Sequence, residues 1–99
     1  MTIKIQSVHF DADQKLLDFI EEKVNKLSLY DDTIIGAEVI LRLDKNQNTE
    51  NKVTEIRLLI SGYDSFAKKQ CKTFEEAIDQ TIEALKRQLS KQKGKKENR

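Results

Sequence analysis

Eighteen lysines and arginines are the chemically capable side chains in greatest supply here, and they are unevenly spread. Residues 1–85 hold 11 of them against 16 acids, whereas residues 86–99 hold seven against one, so a body of about −5 ends in a segment of about +6. A helix terminus uses a few cations to complement its dipole. Five lysines and two arginines within fourteen residues exceed that use, and the chemistry they offer is attraction for a polyanion, above all a nucleic-acid backbone. The plain alternative is a solvated charged end without a ligand.

Catalytic chemistry has little to draw on. His9 is the one histidine, stands beside Phe10 and lacks a G-x-S-x-G context, so it reads as a strand-end residue rather than part of a triad. Cys71 lies near Lys69 and Lys72, which would favour a thiolate, but a reactive cysteine also needs a base, and His9 is about sixty residues away. One cysteine makes no internal disulfide, and one histidine beside it makes no His/Cys metal cluster. Asp11, Asp13 and Asp18 match no calcium-loop spacing and sit where a helix start favours carboxylates. The reading is a protein that is not an enzyme and takes no cofactor or metal.

The elements that must position the cations are legible in the hydropathy pattern. Ile3 and Ile5 alternate with polar residues as a short strand running to about Val8. A helix follows, capped by Asp11 or Asp13, with Asp11 and Gln14 spaced as a capping box; Leu16, Ile20, Val24 and Leu27 form its stripe, widened by Leu17 and Phe19. Ile35, Ala37, Val39, Leu41 and Leu43 alternate over nine residues as a long strand. Asp44 to Lys52 is polar and reads as a hairpin tip. Ile56, Leu58 and Ile60 mark the next strand, Ser61 to Ser65 a turn with Gly62 at positive φ, and Phe66 to Lys72 a lysine-bearing edge strand. Thr73-Phe74-Glu75-Glu76 has the capping-box form and opens a helix whose stripe is Phe74, Ile78, Ile82, Leu85 and Leu89.

The resulting order is β-α-β-β-β-α. The expected fold is α+β, a two-layer sandwich with two helices on one face of a four-stranded sheet. At 99 residues the chain holds one core. The domain is drawn over residues 1–90, and residues 91–99 are read as a basic, flexible tail. The chain shows neither a secretory leader nor a membrane-length apolar run, so a cytoplasmic location is expected.

On the wheel of the second helix, Lys86 and Lys93 flank the core stripe while Arg87 and Lys91 point away from it, with Glu83 placed to pair with Arg87 at i,i+4. Lys15, Lys23 and Lys26 come from the first helix, and the Lys23 stem is expected along the edge of its stripe. Tyr30 and Tyr63 are candidate stacking partners for bases.

Lys23-Val24-Asn25-Lys26-Leu27-Ser28-Leu29-Tyr30 resembles the end of the first helix in the ribosome hibernation-promoting factor family, also described as ribosome-associated inhibitor A or protein Y. Ala77-Ile78-Asp79, Leu85, Arg87-Gln88-Leu89, Lys91 and the lysines at 93 and 95 resemble that family's second helix, with Ala84 standing where relatives often carry lysine. The resemblance implies a short-form member. It would bind the small ribosomal subunit and its 16S rRNA in the channel used by messenger and transfer RNA, inhibiting translation in stationary phase or stress. The rRNA-facing residues it implies are Lys23, Lys26, Lys86, Arg87, Lys91, Lys93 and Lys95, with secondary contacts from Lys68, Lys69, Lys72 and Tyr30. It also implies a chain that is itself a monomer, ribosome-associated in the cytoplasm, with a companion ribosome-dimerisation factor or long-form relative as a further partner. Two other readings stand beside this one. One is an RNA-binding module like the double-stranded-RNA-binding domain, whose α-β-β-β-α order lacks a first strand; the other is a protein-interaction domain.

Overall fold

The computed structural model describes residues 1–46 and 48–97, with side chains through Gln92. Its elements are β1 (Thr2–Ser7), α1 (Gln14–Asn25, continued by a 3-10 turn over Lys26–Leu29), β2 (Ile34–Leu43), β3 (Lys52–Ile60), β4 (Tyr63–Cys71) and α2 (Phe74–Glu97). The strands lie side by side in the order β1-β2-β3-β4. β1 runs parallel to β2, a pairing that needs a crossover, and α1 supplies it. The other two pairings are antiparallel hairpins.

Each helix begins where a side chain can satisfy its free amides. Asp13 is the N-cap of α1 and accepts from the Leu16 amide at 2.8 Å, so the cap is the second of the two aspartates and not the Asp11–Gln14 box. Thr73 Oγ1 accepts from the Glu76 amide at 3.1 Å and starts α2 at Phe74. α2 then runs past Ser90, with helical backbone through Glu97, so the segment read as a tail from Lys91 continues the helix as far as that residue.

The stripes meet as the sequence pattern requires. Ile20, Val24 and Leu27 from α1 and Phe74, Ile78, Ile82, Leu85 and Leu89 from α2 share one core with Val39, Leu41, Ile56, Leu58 and Ile60 of the sheet. Ile3 and Ile5 are only partly buried against it, because β1 is an edge strand. Phe10 closes the end of the core by stacking on Phe74, ring centroids 5.1 Å apart. Gln88 ties α2 to β4, donating to the Phe66 carbonyl at 2.9 Å and accepting from the Ser65 hydroxyl.

Two details depart from simple alternation. A bulge between Ile34 and Gly36 turns Ile34 into the core and leaves Ile35 64% exposed, so the inward set of β2 starts at Ile34 and then resumes at Ala37. Gly36 lies so close to β1 that a Cβ there would stand 2.9 Å from the Thr2 carbonyl oxygen, and glycine is what permits the parallel pairing at that point. The second turn is also tighter than the expected Ser61–Ser65: Tyr63 already pairs with Ile60, and Gly62 at φ 93° provides the reversal.

Candidate nucleic-acid interface

Burying one stripe of each helix fixes where its charged flanks go. Ile82 and Val24 are buried in the shared core, and the residues beside them form a groove between α1 and α2 lined by Lys23, Lys26, Asp79, Ile82, Glu83 and Lys86. The structure thus brings together three of the predicted cations, from two helices some sixty residues apart in sequence.

Each of the three is held by an acid. Lys23 Nζ lies 3.5 Å from Asp79 Oδ1, linking α1 to α2, and 5.4 Å from the centre of the Phe19 ring, so its stem follows the apolar edge and its ammonium emerges at the rim. Lys26 Nζ is 3.4 Å from Glu22 on its own helix. Lys86 Nζ donates to Glu83 Oε1 at 3.2 Å and stands 5.5 Å from the centre of the Tyr30 ring. The bond to Glu83 pushes the Lys86 ammonium above its ordinary pKa, so it is fully charged at neutral pH. Solvent-exposed pairs of this kind contribute little to stability.

Because Glu83 turns to Lys86, the expected i,i+4 pair with Arg87 does not form. Among the described residues neither Arg87 nor Lys91 has an ion-pair partner, and both are exposed. Arg87 reaches the β4 side of α2, where it shares a shallow depression with Lys69. Lys91 lies one turn further, beside Tyr63 and Asp64. The side chains of Lys93 and Lys95 fall outside the described residues, although the helical backbone carries both positions onward from Lys91.

The three secondary lysines do not form one patch. Lys69 sits opposite Thr54 on the helix-bearing side of the sheet, while Lys68 is opposite Glu55 on the other side and Lys72 lies in the link to α2. The two tyrosines separate as well. Tyr30 is 41% exposed beneath Lys86, whereas the Tyr63 hydroxyl donates to Asp31 at 3.1 Å, and burial with that carboxylate raises its pKa. Tyr30 is available for stacking; Tyr63 serves as a tie between β4 and the segment after α1.

The sequence pattern assigned Glu83 to Arg87 and did not show that Asp79 and Glu83 both intrude into the cationic groove. Their i,i+4 spacing, with Lys86 three residues after Glu83, was the available signal. The candidates for catalysis stay apart from this region. Cys71 is buried, and burial followed by the charges of Glu76 and Glu50 raises its thiol, outweighing Lys69, so the lowered pKa suggested by its lysine neighbours is not realised. His9 occupies the left-handed region at φ 65° just after β1. No group of His, Cys, Asp or Glu among the described residues is arranged to hold a metal ion, and no helix there is long and apolar enough to cross a membrane.

Against known proteins, the chain matches over residues 3–97 the family described as Sigma 54 modulation protein / S30EA ribosomal protein. It is 30% identical to a ribosome hibernation promoting factor of Pseudomonas putida over 98 residues, covering 99% of this chain and 92% of that one. A ribosome hibernation promoting factor of Azotobacter vinelandii is 32% identical over 95 residues, covering 96% of this chain and 85% of that protein. In fold it is similar to a ribosomal subunit interface protein from Coxiella burnetii, with TM-score 0.85 at 21% identity over 95% of this chain and 99% of that one. The N-terminal domain of Thermus thermophilus Protein Y is also similar, with TM-score 0.80 at 23% identity over 92% and 98% of the respective chains. With a family match spanning nearly the whole sequence and relatives that align almost end to end, the chain belongs to the S30EA ribosomal protein family, that of the ribosome hibernation promoting factors.

Proposed function

We propose that this protein is a ribosome hibernation factor. It binds the small ribosomal subunit through rRNA phosphates, occupies the path of messenger and transfer RNA, and inhibits translation in the cytoplasm of stressed or resting cells. The observation that carries the reading is the convergence of Lys23, Lys26 and Lys86 in the α1–α2 groove, continued along α2 by Arg87 and Lys91. The names of the relatives support the partner, and the charge split supports the mechanism: a body of about −5 gives little general attraction for RNA, so binding is concentrated where the cations gather.

The chemistry is displacement rather than catalysis. Phosphates meet the cations from the solvent side, counterions leave the RNA, and Tyr30 offers a ring face to an unstacked base. Arg87 adds a planar fork suited to a phosphate. The helical backbone carries positions 93 and 95 onward, each residue adding about 1.5 Å along its axis.

The test is sedimentation through sucrose of purified protein with isolated small subunits, at low and near-physiological salt, beside free duplex RNA. Co-sedimentation with subunits that weakens with salt is expected. Equal retention by free duplex would favour a general double-stranded-RNA module, and no RNA-dependent shift would favour a protein-interaction domain.

A further inference from the structure

The positive surface of α2 is divided. Asp79 and Glu83, one turn apart, line both the α1–α2 groove and the depression on the other flank of the helix. On one side of them stand Lys23, Lys26 and Lys86; on the other stand Lys69 and Arg87. Glu76 continues the line toward the start of the helix, exposed like the other two. The α2 acids are therefore not confined to the first turn, where the helix dipole would account for them. Two of them lie between the cations that an RNA ligand must reach.

We propose that Asp79 and Glu83 are specificity-determining residues, an acidic ridge that turns away the continuous phosphate rows of ordinary duplex RNA. The ridge admits an RNA surface whose phosphates fall into two separate tracks. This deepens the proposed function and rests on it.

The argument is electrostatic and steric together. A phosphate on Lys86 comes within a few ångströms of the carboxylate that Lys86 now holds, because Glu83 Oε1 is 3.2 Å from Nζ. A phosphate on Lys23 meets Asp79 in the same way at 3.5 Å. Neither carboxylate is removed by phosphate binding; each can only swing within the reach of its own short stem. A regular duplex presents closely spaced charges along both strands, so a backbone laid across α2 must place some of them against the ridge. A folded RNA that leaves a gap in its phosphates over the ridge can still meet Lys26 on one side and Lys69 and Arg87 on the other, cations that neither Asp79 nor Glu83 holds, and so escapes most of the repulsion. Affinity is thereby traded for discrimination, since selectivity is a difference of affinities and a repulsive element widens it.

Both residues are exposed, and their amides are near-isosteric, so Asp79→Asn with Glu83→Gln leaves the core intact. Lys23 keeps its seat over Phe19 when Asp79 loses its charge. The experiment measures wild type and this double variant against small subunits and against a uniform 20-base-pair RNA duplex, in parallel, across a salt series. Removing a like charge a few ångströms from a phosphate in a watery surface groove raises affinity by roughly three- to tenfold per carboxylate. The duplex is expected to gain about tenfold or more, with a steeper salt dependence, while the subunit gains less than about threefold. Glu38→Gln, on the sheet face away from the helices, is the control and should shift neither ligand.

Equal gains for duplex and subunit would overturn the inference, because the acids would then tune overall charge without discriminating. No gain for duplex would overturn it as well. In both cases wild-type binding to subunits would persist, leaving the proposed function standing. Loss of wild-type subunit binding itself would instead sink that function and this inference with it.

Discussion

Reversing Arg87 and Lys91 to glutamate tests the binding face at little structural expense. Both side chains are exposed and, among the described residues, make no ion pair whose loss would confuse the outcome. The new carboxylates would repel Glu83 and each other at i,i+4, costing a few tenths of a kcal/mol per pair, so helix content and cooperative unfolding should stay within about 1 kcal/mol of wild type. Binding should respond far more. Each phosphate contact contributes roughly 0.7–0.9 to the slope of log affinity against log salt, so losing two lowers the slope by about 1.5. Extrapolated from high salt, that difference amounts to about a hundredfold weaker binding at 50 mM and about tenfold at 200 mM, before any added repulsion. The assay is pelleting of small subunits with titrated protein at the two salt concentrations, beside cell-free translation to read relief of inhibition. Reversal of Lys45, in the polar loop between β2 and β3, and of Lys52, the first residue of β3, should change affinity much less. A folded Arg87/Lys91 variant that binds as tightly as wild type at both salts would refute this face, even if the protein still pelleted with ribosomes.

Ile82→Ala empties a buried site between the helices and should cost about 2–5 kcal/mol in denaturant titration, enough to threaten a domain this small; a loss below about 0.5 kcal/mol would contradict the shared core. Gly36→Ala drives a Cβ against the Thr2 carbonyl and should destabilise by about 1–3 kcal/mol, with faster amide exchange in β1 than in β3; unchanged exchange would show that β1 yields freely. The Cys71 thiol, pushed up by burial, holds less thiolate than a free cysteine at any pH near neutrality, so alkylation at pH 8 should be several-fold slower than in unfolded protein; equal rates would contradict its burial.

The periodic elements were readable because burial imposes their period: the stripes of both helices and the inward faces of β2 and β3 reappear in one core. What escaped depended on choices between near-equal neighbours. A one-residue bulge exposes Ile35 and buries Ile34, and alternation alone could not decide which isoleucine starts the inward set. Glu83 had a basic residue at both i+3 and i+4 and takes Lys86, a choice that spacing alone did not decide. The sequence reading groups Lys68 and Lys69 as secondary contacts, but strand alternation sends them to opposite sides of the sheet. The resemblance named the cations of the candidate site. Its acidic ridge became visible only when the helices were laid side by side.

The central claim is that the helix face, and not the open sheet, meets rRNA. The most direct measurement is lysine footprinting: brief acetylation of the protein alone and on saturating small subunits, followed by peptide mass analysis of each lysine. Lys23, Lys26, Lys86 and Lys91 should be protected several-fold on the subunit, while Lys4, on the strand farthest from β4, and Lys45, at the hairpin tip, stay as reactive as in the free protein. Protection of Lys4 with continued reactivity at Lys23 and Lys86 would contradict the claim outright.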